Sequence, residues 1–309
     1  MNRRLATALA NSFFLRKGKE LHEKHVTDYV MGGSFLHKLQ ANVYLILKDY
    51  GTGKFPPKLV SRESTFEGER EQFSAMEGSM EDLLQEVMQK PFRTAHTEYY
   101  LQVFCHIIDQ LERRGIRAGS RILELGCGSG WLAELLAIHG YEVVGTTIAP
   151  VDIVNGQRRI DALKVKGLKC KLEFFAAPME EVFKQVAPNS FDAVFCFEAL
   201  HHAFDWRESL DSATRCLKPG GWLLLCSEPP PLHTYVCYRS SIILKTHEIG
   251  FKPNEIRQHL KKLNYDQIQI ARPVFGKGLA TLFMRLAPFG IKHGSILCRS
   301  LWVTSRKIK

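Results

Sequence analysis

The stretch that most constrains this chain is residues 121–139. Ile122, Leu123 and Leu125 make a short apolar run, glycines follow at 126, 128 and 130, and Trp131-Leu-Ala-Glu-Leu-Leu-Ala-Ile-His139 then carries apolar side chains at helical spacing. An apolar run closed by glycines is a buried strand, and the periodicity after it is a helix. Alternate glycines leave bare backbone at the helix N-terminus, where N–H groups can face a ligand closely. The spacing is neither the Gly-x-Gly-x-x-Gly of a dinucleotide site nor the Gly-Lys-Ser/Thr of a phosphate loop. Instead Glu124 stands two residues ahead of the first glycine. A carboxylate there disfavours a pyrophosphate and suits a nucleotide-like ligand that carries an ammonium group, of which S-adenosyl-L-methionine is one.

From residue 121 the texture is strand and helix in alternation. The pattern predicts strands over 121–125, 142–145, 168–175, 191–197 and 222–227, with helices over 131–139, 151–164, 179–186 and 207–217. Such βαβ units imply a parallel sheet with helices on both faces. A helix over 253–263 and strands over 267–272 and 295–304 would close the sheet with an antiparallel edge pair. Insertions at about 229–250 and 273–294 interrupt this order. In an open α/β sheet ligands sit beyond the carboxyl ends of the strands, so the 229–250 insertion, leaving the sheet there, is the candidate substrate cap. It offers His233, Tyr235, Tyr238 and His247. The second contains 279–291, an apolar stretch near Lys277, Arg285 and Lys292.

Residues 1–94 predict a helical extension before a domain over 95–309. Helical patterns run over 26–47 and from Tyr99 through Leu111 to an end at Gly115, and Ser79-Met-Glu-Asp82 is a capping-type start for a helix over 83–88. Charge is unevenly placed: 14 Lys/Arg against 3 Asp/Glu over 229–309, 8 against 4 over 1–50, and 20 against 25 between. Residues 1–20 interleave Leu5, Leu9, Phe13, Phe14 and Leu15 with five cations and no acid before Glu20. That pattern fits a membrane-surface segment, a transit peptide or a terminal helix packed on the body. No run approaches the ~18 apolar residues of a membrane span, and eight cysteines without a CxxC pair suggest a reducing compartment. The expectation is a cytoplasmic protein, with peripheral membrane contact through its basic ends left open.

Four segments together carry a family resemblance. Ile122-Leu-Glu-Leu-Gly-Cys-Gly-Ser-Gly130, Tyr141-Glu-Val-Val-Gly145, Phe191-Asp-Ala-Val-Phe-Cys-Phe-Glu-Ala-Leu-His-His202 and Leu217-Lys-Pro-Gly-Gly-Trp-Leu-Leu-Leu225 follow the order and spacing of class I S-adenosylmethionine-dependent methyltransferases. The small-molecule branch is the most similar, and the resemblance covers about 95–228. It implies a Rossmann-like, doubly wound α/β sheet of seven strands, mostly parallel with an antiparallel last strand. It implies S-adenosyl-L-methionine as cofactor, with Gly126, Cys127, Gly128 and Gly130 under it, Glu124 at its methionine end, and Phe197 and Glu198 bordering the transfer site. Two departures stand out. The acid that usually ends the second strand and holds the ribose is replaced by Thr147, beside Ile148; Thr offers neutral hydrogen bonds in place of charge-assisted ones. The acid often found beside the adenine is also missing, since the third strand leads to Ala176-Ala177-Pro178-Met179, where Met179 is an apolar alternative.

Methyl transfer from a sulfonium is an in-line displacement, so alignment and exclusion of water dominate. An oxygen nucleophile of high pKa also needs a base, and His202 and His201, after the fourth strand, are the candidates. No histidine spacing suggests a metal. The leading expectation is O-methylation of a small-molecule acceptor, hydrophobic or anionic: lipid-, quinone- or sugar-like. Two rivals stay open: a binding or scaffold protein with a decayed site, motivated by the missing acids, and an RNA methyltransferase, motivated by the net charge of +10. The chain lacks an Asn/Asp-Pro-Pro-Tyr motif and an RNA-binding module, which argues against a nucleic-acid partner.

Overall fold

The computed structural model describes residues 1–28, 31–55, 61–75, 88–92, 96–275, 289–292, 295–298 and 300–308. The helix expected over 83–88 and most of the 279–291 stretch lie outside these residues. The chain forms two compact units, Met1–Met80 with Pro231–Ile249, and Glu81–Pro230 with Gly250–Lys309. Residues 231–249, the body of the 229–250 insertion, group with the N-terminal residues.

The larger unit holds the sheet. Its strands are β1 (Arg121–Leu125), β2 (Glu142–Thr147), β3 (Leu172–Ala176), β4 (Phe191–Phe197), β5 (Leu217–Glu228) and β6 (Tyr265–Ala271), with β7 (Phe289–Lys292), β8 (Ser295–Cys298) and β9 (Leu301–Lys307) after them. The sheet order is β3-β2-β1-β4-β5-β9-β6, and β7 pairs with β8 in a separate hairpin. The first five strands run parallel. β9 is antiparallel to both β5 and β6. The strand expected over 295–304 thus breaks in two, and only its second part enters the sheet. The helix expected over 179–186 is a 3-10 turn, Met179–Lys184.

Helix Thr97–Glu112 packs on one face of this sheet. It buries Tyr100, Val103, Ile107 and Leu111, spaced three and four apart and so on one side, against Ile122, Phe195, Trp222 and Leu224. Fully burying a side chain such as Ile107 stabilises the fold by about 1.5–3 kcal/mol. Because β1 to β5 are parallel, the residues at or just past their carboxyl ends share one edge: Gly126, Thr147, Ala176, Glu198 and Glu228. Helices sheath the strand faces, so this edge is where backbone groups remain open to a ligand.

The smaller unit is helical. The helix expected over 26–47 starts only at Phe35, because Gly33 takes a left-handed φ of 95° and Ser34 caps the helix by accepting from the His37 N–H at 3.4 Å. It runs to Thr52 and stops at left-handed Gly53. Short helices His233–Val236 and Tyr238–Leu244 pack with it. Asn42 Oδ1 accepts from Arg239 N–H at 3.0 Å, and Tyr238 donates to Asp49 Oδ2 at 2.9 Å. Among the described residues no helix is long and apolar enough to cross a membrane.

Candidate active site

The turn after β1 is shaped by contacts on both its sides. Gly126, Gly128 and Gly130 have φ of 68°, 51° and 77°, a region that side chains rarely adopt. A Cβ on Gly126 would lie 2.5 Å from Ala199 and 2.7 Å from Met179, so that glycine is closed in by protein. A Cβ on Gly128 would meet nothing within 4 Å. The bare backbone at 128 therefore faces open space, as a ligand-facing turn requires. Cys127 is buried and its N–H donates to Thr146 O at 2.8 Å, which ties the turn to β2.

Two buried carboxylates flank this turn. Glu124 is 2% exposed; burial holds its carboxyl well above the ordinary carboxylate range, and its Oε2 has no hydrogen-bond partner. Asp152 lies in the first turn of helix Pro150–Val165. It accepts from the Thr147 hydroxyl at 3.2 Å, while its Oδ1 is buried without a partner. Burial pushes its pKa up to about 6, against the opposing effects of the Thr147 hydroxyl and the Lys90 charge. Both carboxylates help to raise the pKa of the buried Cys127 thiol in the glycine turn, after burial itself. An unpaired buried carboxylate oxygen is costly, so each is an acceptor waiting for a donor.

Past β4 and β5 the edge carries a hydrogen-bonded cluster. Glu198 Oε1 accepts from the Tyr99 hydroxyl at 2.9 Å and the Ser227 hydroxyl at 2.9 Å. Glu198 and Ser227 both have left-handed φ, 50° and 63°, a strained backbone for residues with a Cβ. Burial pushes the Tyr99 phenol up to about 12. Next to it Glu228, fully buried, collects the start of the 3-10 turn Leu200–His202. Its Oε1 accepts from the N–H groups of Ala199 and Leu200 at 3.2 and 3.0 Å. Its Oε2 lies 3.2 Å from the His201 N–H, which it accepts, and 3.0 Å from His201 Nδ1. Burial outweighs those donors and pushes the Glu228 pKa up to about 7. The rings of His201 and His202 lie 4.3 Å apart.

The structure thus brings Glu124, Gly126, Cys127, Gly128, Gly130, Thr147 and Met179 together around one turn, with Ile148 following Thr147 half-buried. Glu198, His201 and His202 line the neighbouring strand ends. Phe197 is turned into the core, edge-on to Trp131 at 5.9 Å. The insertion residues sit within the smaller unit: His233 Nε2 is 2.8 Å from Glu248 Oε2, the His247 N–H donates to Glu69 at 2.9 Å, and Tyr235 stacks on Phe55. Sequence reasoning missed Asp152, Glu228, Tyr99 and Ser227. The available signal for Glu228 was an acid closing the apolar run Leu223-Leu-Leu-Cys226; Asp152 looked like an ordinary acid in a helix's first turn, favourable to its dipole.

Comparison with known proteins follows the same segments. A methyltransferase domain model matches residues 123–225. The ubiquinone biosynthesis O-methyltransferase of Chromobacterium violaceum is 24% identical over 175 residues, which cover 57% of this chain and 72% of that protein. Its namesake from Bordetella pertussis is 32% identical over 114 residues, 36% of this chain and 44% of that protein. The magnesium protoporphyrin IX methyltransferase of Synechocystis PCC 6803, solved with bound SAH, shares the fold with a TM-score of 0.54 at 16% identity, covering 77% of this chain and 97% of that one. The chain thus has the Rossmann-like methyltransferase fold, and the segment that the domain model matches holds the glycine turn and its buried acid.

Proposed function

We propose that this enzyme methylates an oxygen of a small, phenol- or quinol-like acceptor. The observation that carries the choice of oxygen is the His201–Glu228 pair at the edge that holds the glycine turn. Two named relatives are ubiquinone biosynthesis O-methyltransferases, which supports an acceptor of that kind.

The residues present fit the cofactor. Glu124 Oε2 is a buried acceptor without a donor, and the backbone at Gly128 is open; Glu124 would hold the ammonium group and the turn would lie under the rest of the methionine moiety. Asp152, steadied by the Thr147 hydroxyl, offers its free oxygen to a hydroxyl donor, which makes good the acid missing at Thr147. Met179, packed over Gly126, would supply an apolar contact to the base. S-adenosylmethionine when bound supplies a methyl group on a positively charged sulfur.

The remaining task is to remove a proton from the acceptor. Glu228 Oε2 already accepts the His201 backbone N–H, so the satisfied arrangement has Nδ1–H donating to it as well. That fixes the tautomer with the lone pair on Nε2, the form a general base needs. Tyr99 and Ser227, anchored on Glu198, hold the adjoining wall of the site. Seven free thiols among the described residues suit a reducing, cytoplasmic setting.

The test has two stages. Calorimetry with S-adenosylhomocysteine should give a one-site isotherm for the wild type. Transfer of labelled methyl should then be seen to catechols and quinols and be absent with amine acceptors of similar size. Transfer to amines alone would refute oxygen as the target.

A further inference from the structure

The first nineteen residues present the wrong side chains to solvent for an ordinary packed helix. Helix Arg3–Ala10 buries Ala6 and Ala10, while Leu5 and Leu9 are 53% and 42% exposed. A helix on a protein surface normally turns its leucines inward. The 3-10 turn Phe13–Leu15 follows, with Phe13 and Phe14 77% and 81% exposed. Close backbone packing explains the inversion. Helices Arg16–Lys24 and Phe35–Thr52 approach so tightly that a Cβ on Gly18 would lie 2.4 Å from Gln40, and Gln40 Nε2 donates to Phe14 O at 2.8 Å. Small residues fill the contact, and the large apolar ones are left outside. Leu36 and Leu39, just before Gln40, are exposed too.

Cations flank these apolar residues along the chain. Arg3, Arg4, Arg16 and Lys17 are exposed. The guanidinium of Arg16 lies 5.2 Å from the centre of the Phe13 ring and 3.6 Å from Glu20. Among the described residues no carboxylate pairs with Arg3, Arg4 or Lys17.

We propose that this face, with Leu5, Leu9, Phe13 and Phe14 amid Arg3, Arg4, Arg16 and Lys17, is a docking surface for an anionic lipid bilayer. Two leucines and two phenylalanines can enter the boundary between headgroups and acyl chains, and the long basic side chains can stay among the phosphates. Charge decides the occupant. A symmetric pairing with a second copy would set this patch against itself and bring its unpaired cations together, whereas an anionic membrane neutralises all of them.

The test uses the full chain and sedimentation with vesicles of phosphatidylcholine, alone or mixed with phosphatidylglycerol. Binding to the mixed vesicles is expected, weakening as salt is raised, with far less binding to phosphatidylcholine alone. Neutralising Arg4 and Lys17 (R4Q/K17Q) should lower the partition coefficient roughly fivefold per charge. The F13S/F14S variant should lower it by about tenfold or more. These side chains are exposed, so both variants should melt with the wild type and bind S-adenosylhomocysteine in vesicle-free solution as it does. Absence of binding to the mixed vesicles, or equal binding by F13S/F14S, would overturn the proposal. So would a wild-type dimer that F13S/F14S dissolves, since the face would then cover a second copy.

Discussion

Replacing Glu228 by Gln separates the chemistry assigned to it from its packing. The amide has the same shape and keeps an oxygen for the Ala199 and Leu200 N–H groups. Its NH2 then faces two donors, the His201 N–H and Nδ1–H. Hydrogen bonds to a charged acceptor are worth about 1.5–3 kcal/mol and neutral ones about 0.5–1.5 kcal/mol, so the two retained bonds weaken by roughly 1 kcal/mol each. Against this, the variant no longer buries a charge. The rise from 4.5 to about 7 corresponds to ~3 kcal/mol of preference for the neutral form. The opposing effects are of similar size, so Glu228→Gln should fold with a stability within about 2 kcal/mol of the wild type near pH 8.

The imidazole is where the change should be read. Facing an NH2, Nδ1 becomes the acceptor and the proton moves to Nε2, which removes the lone pair the acceptor needs. Loss of a general base costs about 10²–10⁴-fold in rate, so kcat should fall by that order while the cofactor Kd is unchanged. Nitrogen-15 correlation spectra of the imidazoles report the tautomer without any acceptor present. They should show Nδ1–H for wild-type His201 and Nε2–H for the variant. The sign of the pH effect is also fixed. A carboxyl whose folded pKa is raised contributes stability that is complete below about 4.5 and is lost as pH rises through about 7; the wild type should lose up to ~3 kcal/mol across that window from this group, and Glu228→Gln should not. A wild-type kcat in the variant together with an unchanged tautomer would refute the reasoning.

Other outcomes follow from the same edge. Glu124→Gln should weaken cofactor binding about 10–100-fold, the range of one charge-assisted hydrogen bond. Because burial raises the Glu124 carboxyl pKa, wild-type affinity, measured by calorimetry, should rise with pH, and the variant's should lack that dependence. Asp152→Asn should lose the wild-type discrimination between S-adenosylhomocysteine and its 2′-deoxy analogue. It should also gain up to ~3 kcal/mol in the ligand-free protein above pH 6, since the rise from 3.8 to about 6 marks a cost that is present above that range and relieved as pH falls through it. Gly126→Ala forces a Cβ against Ala199 and Met179 at left-handed φ and should abolish detectable cofactor binding by calorimetry. Ile107→Ala, in the core packed on the sheet, should lower stability by about 2–5 kcal/mol in urea unfolding without altering cofactor affinity in the folded baseline.

The parts legible in the sequence were those decided by neighbours along the chain. The turn at 126–130 was legible because strand, glycines and helix are contiguous, and β1, β2 and β4 were legible because their apolar runs are short and bounded. Glu228 was not, because its role depends on β4–β5 register: Phe197 lies opposite Cys226, which brings residues 199–201 to an acid 27–29 positions away. Asp152 was obscured in the same way, since only the bend after β2 folds it back on Thr147. The break of 295–304 into β8 and β9 was hidden by continuous apolar character on both sides of it. At the N-terminus the sequence specified an amphipathic pattern but not which side would face in; the close approach at Gly18 decided that.

The three buried acids of the edge also explain why the site lies where it does. Glu124, Asp152 and Glu228 each sit where burial raises the carboxyl pKa, so each weakens the ligand-free fold as it ionises. Glu228 is different from the other two: its oxygens are fully occupied by four donors, which makes it a fixed part of the scaffold that orients His201. Glu124 and Asp152 each keep one oxygen without a partner, and the fold offers nothing to fill it. A ligand that brings an ammonium group to one and a hydroxyl to the other removes both costs at once. Its affinity therefore includes the relief of unfavourable burial as well as new contacts. A phosphate group would bring only further acceptors to these two oxygens, so the arrangement favours a ligand by the donors it carries before it does so by shape.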